Sequence, residues 1–263
     1  KIKIHLNTEL IGAGGHVGHF KSQVKSADGT ITNIEHGALI IATGAREYQP
    51  TEYLYGKDKN VITQHELQQK LSENKLGKPS AVVMIQCVGS RNAAHPYCNR
   101  VCCSEAITNA IKIKEQSPET QVFVLNRDIM TYGFKEQYYT KARELGVLFQ
   151  RYEAEKEPQV NTAGNGLTVT WNDPVIPGKL EITTDLLVLS TGYVANENKP
   201  LAEMLNLDLT SDGFYKEMDT KFRPVDAILD GIFITGLANA PRNLLEKVIE
   251  AQAAAQRAAN ILS

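Results

Sequence analysis

The sequence has no long apolar run and no surplus of positive charge. No stretch approaches the roughly 20 apolar residues of a membrane-spanning helix, and the first ten residues alternate instead of forming a signal-peptide core. The formal net charge is -2, and Lys and Arg do not cluster with aromatic residues, so no nucleic-acid partner is expected. We therefore predict a cytoplasmic protein without a transmembrane segment. Because Lys1 opens directly into an alternating pattern, we expect a fragment of a longer chain.

Cysteine is scarce, and its few copies are clustered. The chain has 4 cysteines, all between positions 87 and 103. Random placement would give such a cluster about one time in a thousand. A chain with 42% apolar residues and no secretion signal gains little from disulfides confined to one short segment. The clustering instead predicts a site built from Cys87, Cys98, Cys102 and Cys103.

Alternating and continuous apolar runs predict an α/β fold. The first 36 residues are typical of a β-meander, with the alternating runs KIKIHL, HFKSQVKS and TITNIEH as its strands. Two continuous runs end in Thr-Gly, Ala38 to Gly44 and Leu186 to Gly192, and they predict strands buried on both faces. Between them, AVVMIQCV from Ala81, a helix from about Cys102 and QVFVLNRD predict a βαβ unit. A hairpin around Pro177 and Gly178 precedes the second run, and GIFITG leads into an alanine-rich helix.

This order of elements resembles that of flavoproteins with two dinucleotide-binding domains, such as thioredoxin reductase. A closer resemblance is to the A subunit of heterodisulfide reductase and its relatives in sulfate reducers. The stretches that carry it are IQCVGSR (85–91), YCNRVCC (97–103), MTYG (130–133), GHVGHF (15–20), ATGA (42–45), RPVD (223–226) and GIF (231–233). The resemblance implies a thioredoxin-reductase-like plan whose N-terminal βαβ is missing from this fragment.

The resemblance also implies domains, cofactors and partners. Residues 1–78 and 190–263 would form a partial FAD-binding domain, and residues 79–189 an NAD(P)-binding-like domain that carries the cysteines. The implied cofactors are a [4Fe-4S] cluster and FAD, the latter in an incomplete site. By analogy, FAD would contact Ala42, Thr43, Gly44, Gly236, Leu237 and Ala238. The implied activity is that of an oxidoreductase passing electrons between these centres, inactive as an isolated fragment, with other complex subunits or a second copy as partners.

The cysteine spacing favours a noncanonical cluster. Cys87 ends a buried strand, where open α/β sheets place their ligands. Cys98 and Cys102 are four apart and would share one face if the segment were helical. The spacing differs from the common ferredoxin run. A helix N-terminus near Cys102 would stabilise thiolates, and Arg91 and Arg100 would add positive potential.

Three alternatives remain open at this point. Four thiolates could hold a structural zinc ion in a non-redox interaction domain, although zinc ligands usually come in closely spaced pairs. A cysteine pair could act in a pyridine-nucleotide-disulfide oxidoreductase, or the thiols could be inert. After AVVMIQCV only Gly89 remains of the Gly-x-Gly-x-x-Gly turn that would hold a pyrophosphate, which argues against NAD(P)H at the usual position.

Overall fold

The computed structural model describes residues 2–164 and 166–263, which form two compact units. The strands are β1 (Thr8–Gly14), β2 (Phe20–Ser26), β3 (Ile31–His36), β4 (Leu39–Ile41), β5 (Ala45–Glu47), β6 (Val61–Thr63), β7 (Ala81–Val88), β8 (Gln121–Asn126), β9 (Leu148–Arg151), β10 (Gln159–Ala163), β11 (Gly166–Asn172), β12 (Lys179–Thr184), β13 (Leu186–Thr191), β14 (Tyr193–Ala195) and β15 (Ile232–Ile234). The α-helices are α1 (Gln64–Ser72), α2 (Cys102–Gln116), α3 (Glu136–Glu144), α4 (Lys199–Leu205) and α5 (Leu244–Leu262), with 3-10 turns at Gly133–Lys135 and Gly236–Ala238. None of these helices has the length and apolarity that crossing a bilayer requires.

One unit consists of Glu47–Tyr193 and is built on a five-stranded parallel sheet in the order β6-β13-β7-β8-β9. The central strand β7 is buried at every position, as its continuous apolar run predicts. Val82 and Met84 pack with α1 and α2, whereas Val83 and Ile85 pack with the antiparallel sheet β10-β11-β12. The sheet thus has both faces covered, and the βαβ unit β7-α2-β8 and the hairpin β11-β12 form as predicted.

The segment before β7 packs in this same unit, whereas the resemblance implied that residues up to 78 belong with the other domain. Val61 and Ile62 of β6 pair in parallel with β13. Leu67 and Leu71 of α1 are buried in the core beneath the sheet. The boundary falls near residue 46 because a three-residue strand is held by a partner more than a hundred residues away, which local pattern does not reveal.

The other unit consists of the chain up to Arg46 together with Val194–Ser263. It contains the antiparallel meander β1-β2-β3 and a parallel pair, β4 and β15. The meander is confirmed, but its first strand was predicted wrongly: it is TELIGAG rather than KIKIHL. Ile2, Ile4 and Leu6 are exposed at 93%, 77% and 77%, and no strand of the described ranges pairs with them. The structure also corrects the prediction of burial on both faces for β4, since Ile40 is 42% exposed.

The C-terminal helix α5 begins where the sequence predicts. Asn243 is its N-cap and accepts from the Glu246 N–H, while the Glu246 carboxylate accepts from the Asn243 N–H. Ala254 is buried with Val225 and Phe233 in a small core. The alanines of α5 allow this close approach to β15.

The Asp226 carboxylate is expected to contribute to the free energy of unfolding of this unit. Its carboxylate is 4% exposed and accepts from Arg257 at 2.6 Å and Arg223 at 3.0 Å. Burial opposes ionisation, but these hydrogen bonds outweigh it and lower the pKa of Asp226. Asp226→Ala should lower the unfolding free energy by about 1.5–3 kcal/mol, because charge-assisted hydrogen bonds are lost while the two arginines remain partly exposed to water. Chemical denaturation at neutral pH measures this loss.

The matched control for Asp226→Ala is Asp230→Ala, which removes an exposed partner of the same Arg223. Asp230 is 67% exposed, so its loss should cost about 1 kcal/mol or less. Because the folded-state pKa of Asp226 is depressed, its contribution is present above the ordinary value of 3.8 and is lost as the pH falls below it. Equal losses in the two variants would contradict this account.

Candidate functional site

Cys87 lies at the carboxyl end of the sheet in an unusual backbone conformation. It is the seventh residue of β7 and has φ +66°, and Gly89 and Arg91 follow at φ +70° and φ +56°. A left-handed non-glycine residue costs about 1–3 kcal/mol and persists where the surroundings require it. The pairing of β7 with β13 is irregular at this point, and β7 ends one residue later, at Val88, before the loop that carries Cys98.

The remaining cysteines lie before and at the start of α2. Cys102 and Cys103 occupy its first two positions, and the preceding Val101 provides no side-chain cap. The positive end of the helix dipole is therefore directed at two thiols. Cys98 lies in the loop before the helix, so the predicted shared helical face of Cys98 and Cys102 does not form. Its Sγ instead accepts the Arg100 N–H at 3.4 Å.

The four thiols are free and close enough to influence one another. Burial, with the added effect of Cys103 and Cys98, raises the pKa of Cys87 to about 11, although Arg91 and Arg127 act to lower it. The pKa of Cys102 is raised by its hydrogen bond to Cys103, by burial and by the other two thiols. They do not form a compact single-ion site: within the two described ranges, no group of three or more His, Cys, Asp or Glu side chains is arranged to hold one metal ion.

The surroundings of Cys103 lower the pKa of its thiol. The Cys102 thiol donates a hydrogen bond to it, the Met130 N–H and Arg91 act in the same direction, and burial and Asp128 oppose them. The net effect lowers the pKa of Cys103 to about 7. The pair therefore holds a thiolate near neutral pH, the form that binds metals.

This asymmetry predicts a distinct titration in the metal-free protein. The first proton should leave the Cys102–Cys103 pair near pH 7, because the thiolate on Cys103 is hydrogen-bonded, and Cys87 should stay protonated until about pH 11. Ultraviolet thiolate absorbance follows both steps. In Cys102→Ala the donor is gone, and the first step should move up towards the ordinary value of 9.0. An unmoved first step would refute the assigned hydrogen bond.

Asn99 anchors the cysteine loop to the sheet. Its side chain is buried, and its Oδ1 accepts the Tyr193 N–H at 2.6 Å. A Cβ on Gly192 would lie 1.9 Å from Asn99 Nδ2, so only glycine leaves room for this packing. From the sequence, Gly192 stood out only as the end of a Thr-Gly run, and Asn99 only as part of the stretch YCNRVCC. Its position next to Cys98 is the one signal that could have drawn attention to it.

The turn after β7 is filled by side chains of the same unit. A Cβ on Gly89 would lie 2.2 Å from the Tyr48 ring, and His95 Nδ1 lies 3.0 Å from the Gly89 carbonyl oxygen. Asp128, which follows β8, is bound to Arg91 at 2.9 Å. The two places where a dinucleotide-binding unit holds pyrophosphate and ribose are thus engaged in internal contacts.

The predicted flavin contacts lie together in the other unit. Ala42, Thr43 and Gly44 follow β4, and Gly236, Leu237 and Ala238 follow β15; the two strands run in parallel register. Both segments therefore lie at one strand edge, where α/β folds bind ligands. Gly236 has φ +65° and donates its N–H to Glu250 Oε2 at 3.2 Å. The adjacent Thr235 is 7% exposed, and its Oγ1 has no hydrogen-bond partner among the described residues.

Comparisons with known proteins identify relatives of this chain. No protein-family model matches it. It is 36% identical over 248 residues to the A subunit of the H(2):CoB-CoM heterodisulfide,ferredoxin reductase of Methanothermobacter thermautotrophicus, covering 86% of this chain and 37% of that protein. It is 38% identical over 241 residues to the iron-sulfur A subunit of the CoB--CoM heterodisulfide reductase of Methanocaldococcus jannaschii, covering 83% of this chain and 36% of that protein. The chain thus spans little more than a third of these relatives.

A solved structure shows the fold. Lactococcus lactis thioredoxin reductase superposes with a TM-score of 0.60 at 15% identity, covering 97% of this chain and 74% of that one. The predicted fold class, an α/β flavoprotein plan with two dinucleotide-binding domains, is confirmed. The recognition of the family from its motifs is confirmed as well. Over the region that it spans, this chain therefore belongs to the family of heterodisulfide reductase A subunits.

Proposed function

We propose that this region is an electron-transfer segment that binds a [4Fe-4S] cluster through Cys87, Cys98, Cys102 and Cys103. The observation that carries the proposal is that four free thiols, from a strand end, a loop and a helix start, act on one another within one unit. Four thiolates are the usual ligands of a cubane cluster. The Methanocaldococcus jannaschii relative is named an iron-sulfur subunit, which supports this choice.

The donor set suits a cluster better than a zinc ion. Zinc draws four sulfurs to about 2.3 Å from a single metal, which requires a compact group. A cluster binds each thiolate to a different iron atom, so its ligands stand further apart. Only one closely spaced pair, Cys98 and Cys102, is of the kind that zinc ligands usually form. A buried thiolate near neutral pH at Cys103 and an amide donor to Cys98 also suit an anionic cluster.

The filled turn after β7 argues against nicotinamide chemistry at the usual position. Tyr48 packs against Gly89, and the Asp128 carboxylate forms an ion pair with Arg91. A pyridine-nucleotide-disulfide activity through a cysteine pair would need this space. We infer that a cluster takes the place of the nicotinamide as redox partner of the flavin. Addition of NADPH to the anaerobic protein should therefore leave the flavin spectrum unchanged.

We further propose that the loops after β4 and β15 contribute part of an FAD site. Small residues follow both strands, and in the described part of the chain the buried Thr235 hydroxyl has no hydrogen-bond partner, so a ligand could supply one. When bound, FAD supplies exchange between two-electron and one-electron chemistry. The helix that begins after Asn243 would contribute its positive end to the same strand edge. We expect these residues to hold FAD weakly in the absence of further FAD-binding segments.

The proposed setting is a cytoplasmic complex of the heterodisulfide-reductase type. Relatives are named as subunits of heterodisulfide reductases, some of which also use ferredoxin. We propose other subunits of such a complex as partners, with a second copy of this chain as the alternative partner. Size measurement by light scattering separates these assemblies.

Purification under strict exclusion of oxygen tests the central proposal. Iron, acid-labile sulfide, zinc and flavin are measured per chain, together with visible and electron paramagnetic resonance spectra. We expect a brown protein with about four iron and four sulfide per chain. A colourless protein with one zinc ion would refute the proposal, as would full flavin reduction by NADPH without iron.

A further inference from the structure

Arg91 joins a candidate cluster ligand to a carboxylate. Its Nη2 donates to Asp128 Oδ2 at 2.9 Å, and its positive charge acts to lower the pKa of the Cys87 thiol. The Arg91 side chain is 30% exposed, so its charge is partly shielded from water. A guanidinium group suits this position because it stays charged at all relevant pH values and binds a carboxylate at fixed geometry.

The backbone holds Arg91 in place despite its unfavourable conformation. At φ +56° the residue is in the left-handed region, which costs about 1–3 kcal/mol for a non-glycine side chain. Its N–H donates to the Tyr97 carbonyl oxygen at 3.2 Å, and its own carbonyl accepts from Arg127 Nη1 at 2.9 Å. The main chain is thus fixed from both sides, and the side chain is directed at the sulfur site.

Asp128 places an opposite charge beside the same thiols. The Cys103 Sγ lies 3.9 Å from the Asp128 carbonyl oxygen, so the residue adjoins the start of α2. The charge of Arg91 favours a thiolate on Cys103, and the charge of Asp128 opposes it. Arg91 and Asp128, which form one ion pair, therefore place a positive and a negative charge next to the four thiols.

We propose that Arg91 and Asp128 set the reduction potential of the cluster held by the four thiols, Arg91 raising it and Asp128 lowering it. This inference rests on the proposed function. Reduction adds one electron from an external one-electron reductant, makes and breaks no bond, and increases the negative charge of the site by one. A fixed positive charge stabilises that added charge, and a fixed negative charge opposes it.

A redox titration of the full chain tests the pair. The anaerobic protein is titrated with dithionite in the presence of mediators, and the cluster signal is followed by electron paramagnetic resonance. Arg91→Gln should shift the midpoint potential to a more negative value, and Asp128→Asn should shift it to a less negative one. Arg91→Lys keeps the charge and should shift the potential less than Arg91→Gln does.

Arg143→Gln is the matched control, because it removes the same charge from α3, where Arg143 is exposed and stacks on Tyr139. Its midpoint potential should equal that of the unaltered protein. The inference is overturned if Arg91→Gln retains its iron but its midpoint potential does not shift as expected. It is also overturned if the midpoint potential of Asp128→Asn moves in the same direction as that of Arg91→Gln. If the unaltered protein itself holds no iron and sulfide, the proposed function fails instead, so the two failures are distinguishable.

Discussion

Cys98→Ala is expected to remove most of the iron and sulfide from the anaerobically purified protein while the fold is retained. Cys98 is the least buried of the four cysteines and lies in a loop, so its truncation leaves no large cavity. A cubane cluster that loses one of its four thiolate ligands is exposed to solvent at one iron atom and is readily lost. Iron and sulfide analysis per chain measures the effect, and circular dichroism checks the fold.

Ser104→Ala is the control for Cys98→Ala. Ser104 follows Cys103 in α2, is partly exposed and accepts a hydrogen bond from Lys135 at 3.3 Å. The Ser104→Ala substitution removes a polar group of similar size next to the site, and it leaves all four cysteines in place. We expect normal iron content in this variant. Iron retained in full by Cys98→Ala would mean that Cys98 is not a ligand and that the four-thiol assignment is wrong.

Gly192→Ala is expected to destabilise the protein by about 1–3 kcal/mol or more and to lower its iron content. The added methyl group would lie 1.9 Å from Asn99 Nδ2 and 2.0 Å from Asn99 Cγ, both in a buried side chain. Asn99 must move, which breaks its 2.6 Å hydrogen bond from the Tyr193 N–H and displaces the adjacent Cys98. Denaturant unfolding and iron analysis measure the two effects.

A double variant separates this clash from other effects of the added methyl group. Asn99→Ala removes the atoms that the new Cβ would meet, so Gly192→Ala/Asn99→Ala should be more stable than Gly192→Ala alone. Gly14→Ala is the control, because a Cβ there meets nothing within 4 Å. If the double variant is no more stable than Gly192→Ala, contact with Asn99 is not the reason that residue 192 is glycine.

Local pattern was sufficient for the central elements of the fold. The run AVVMIQCV is β7 and is buried throughout, and the alanine-rich tail is α5. In both cases the residues near in sequence carry the signal, because apolar periodicity and helix capping are local properties. The run KIKIHL shows the limit of this argument. Its alternation is as regular as that of a strand, but an extended segment becomes a strand only when another strand pairs with it.

The sequence by itself determined the chemistry available to this region, namely four clustered thiols, and the family to which its motifs belong. Only the tertiary structure decided how those thiols are presented. Cys98 lies in a loop held by Asn99 against Gly192, and Arg91 meets Asp128 from the neighbouring strand. Each of these contacts joins residues that are distant in the chain. Their packing depends on chain folding as a whole, and no local period or spacing encodes it.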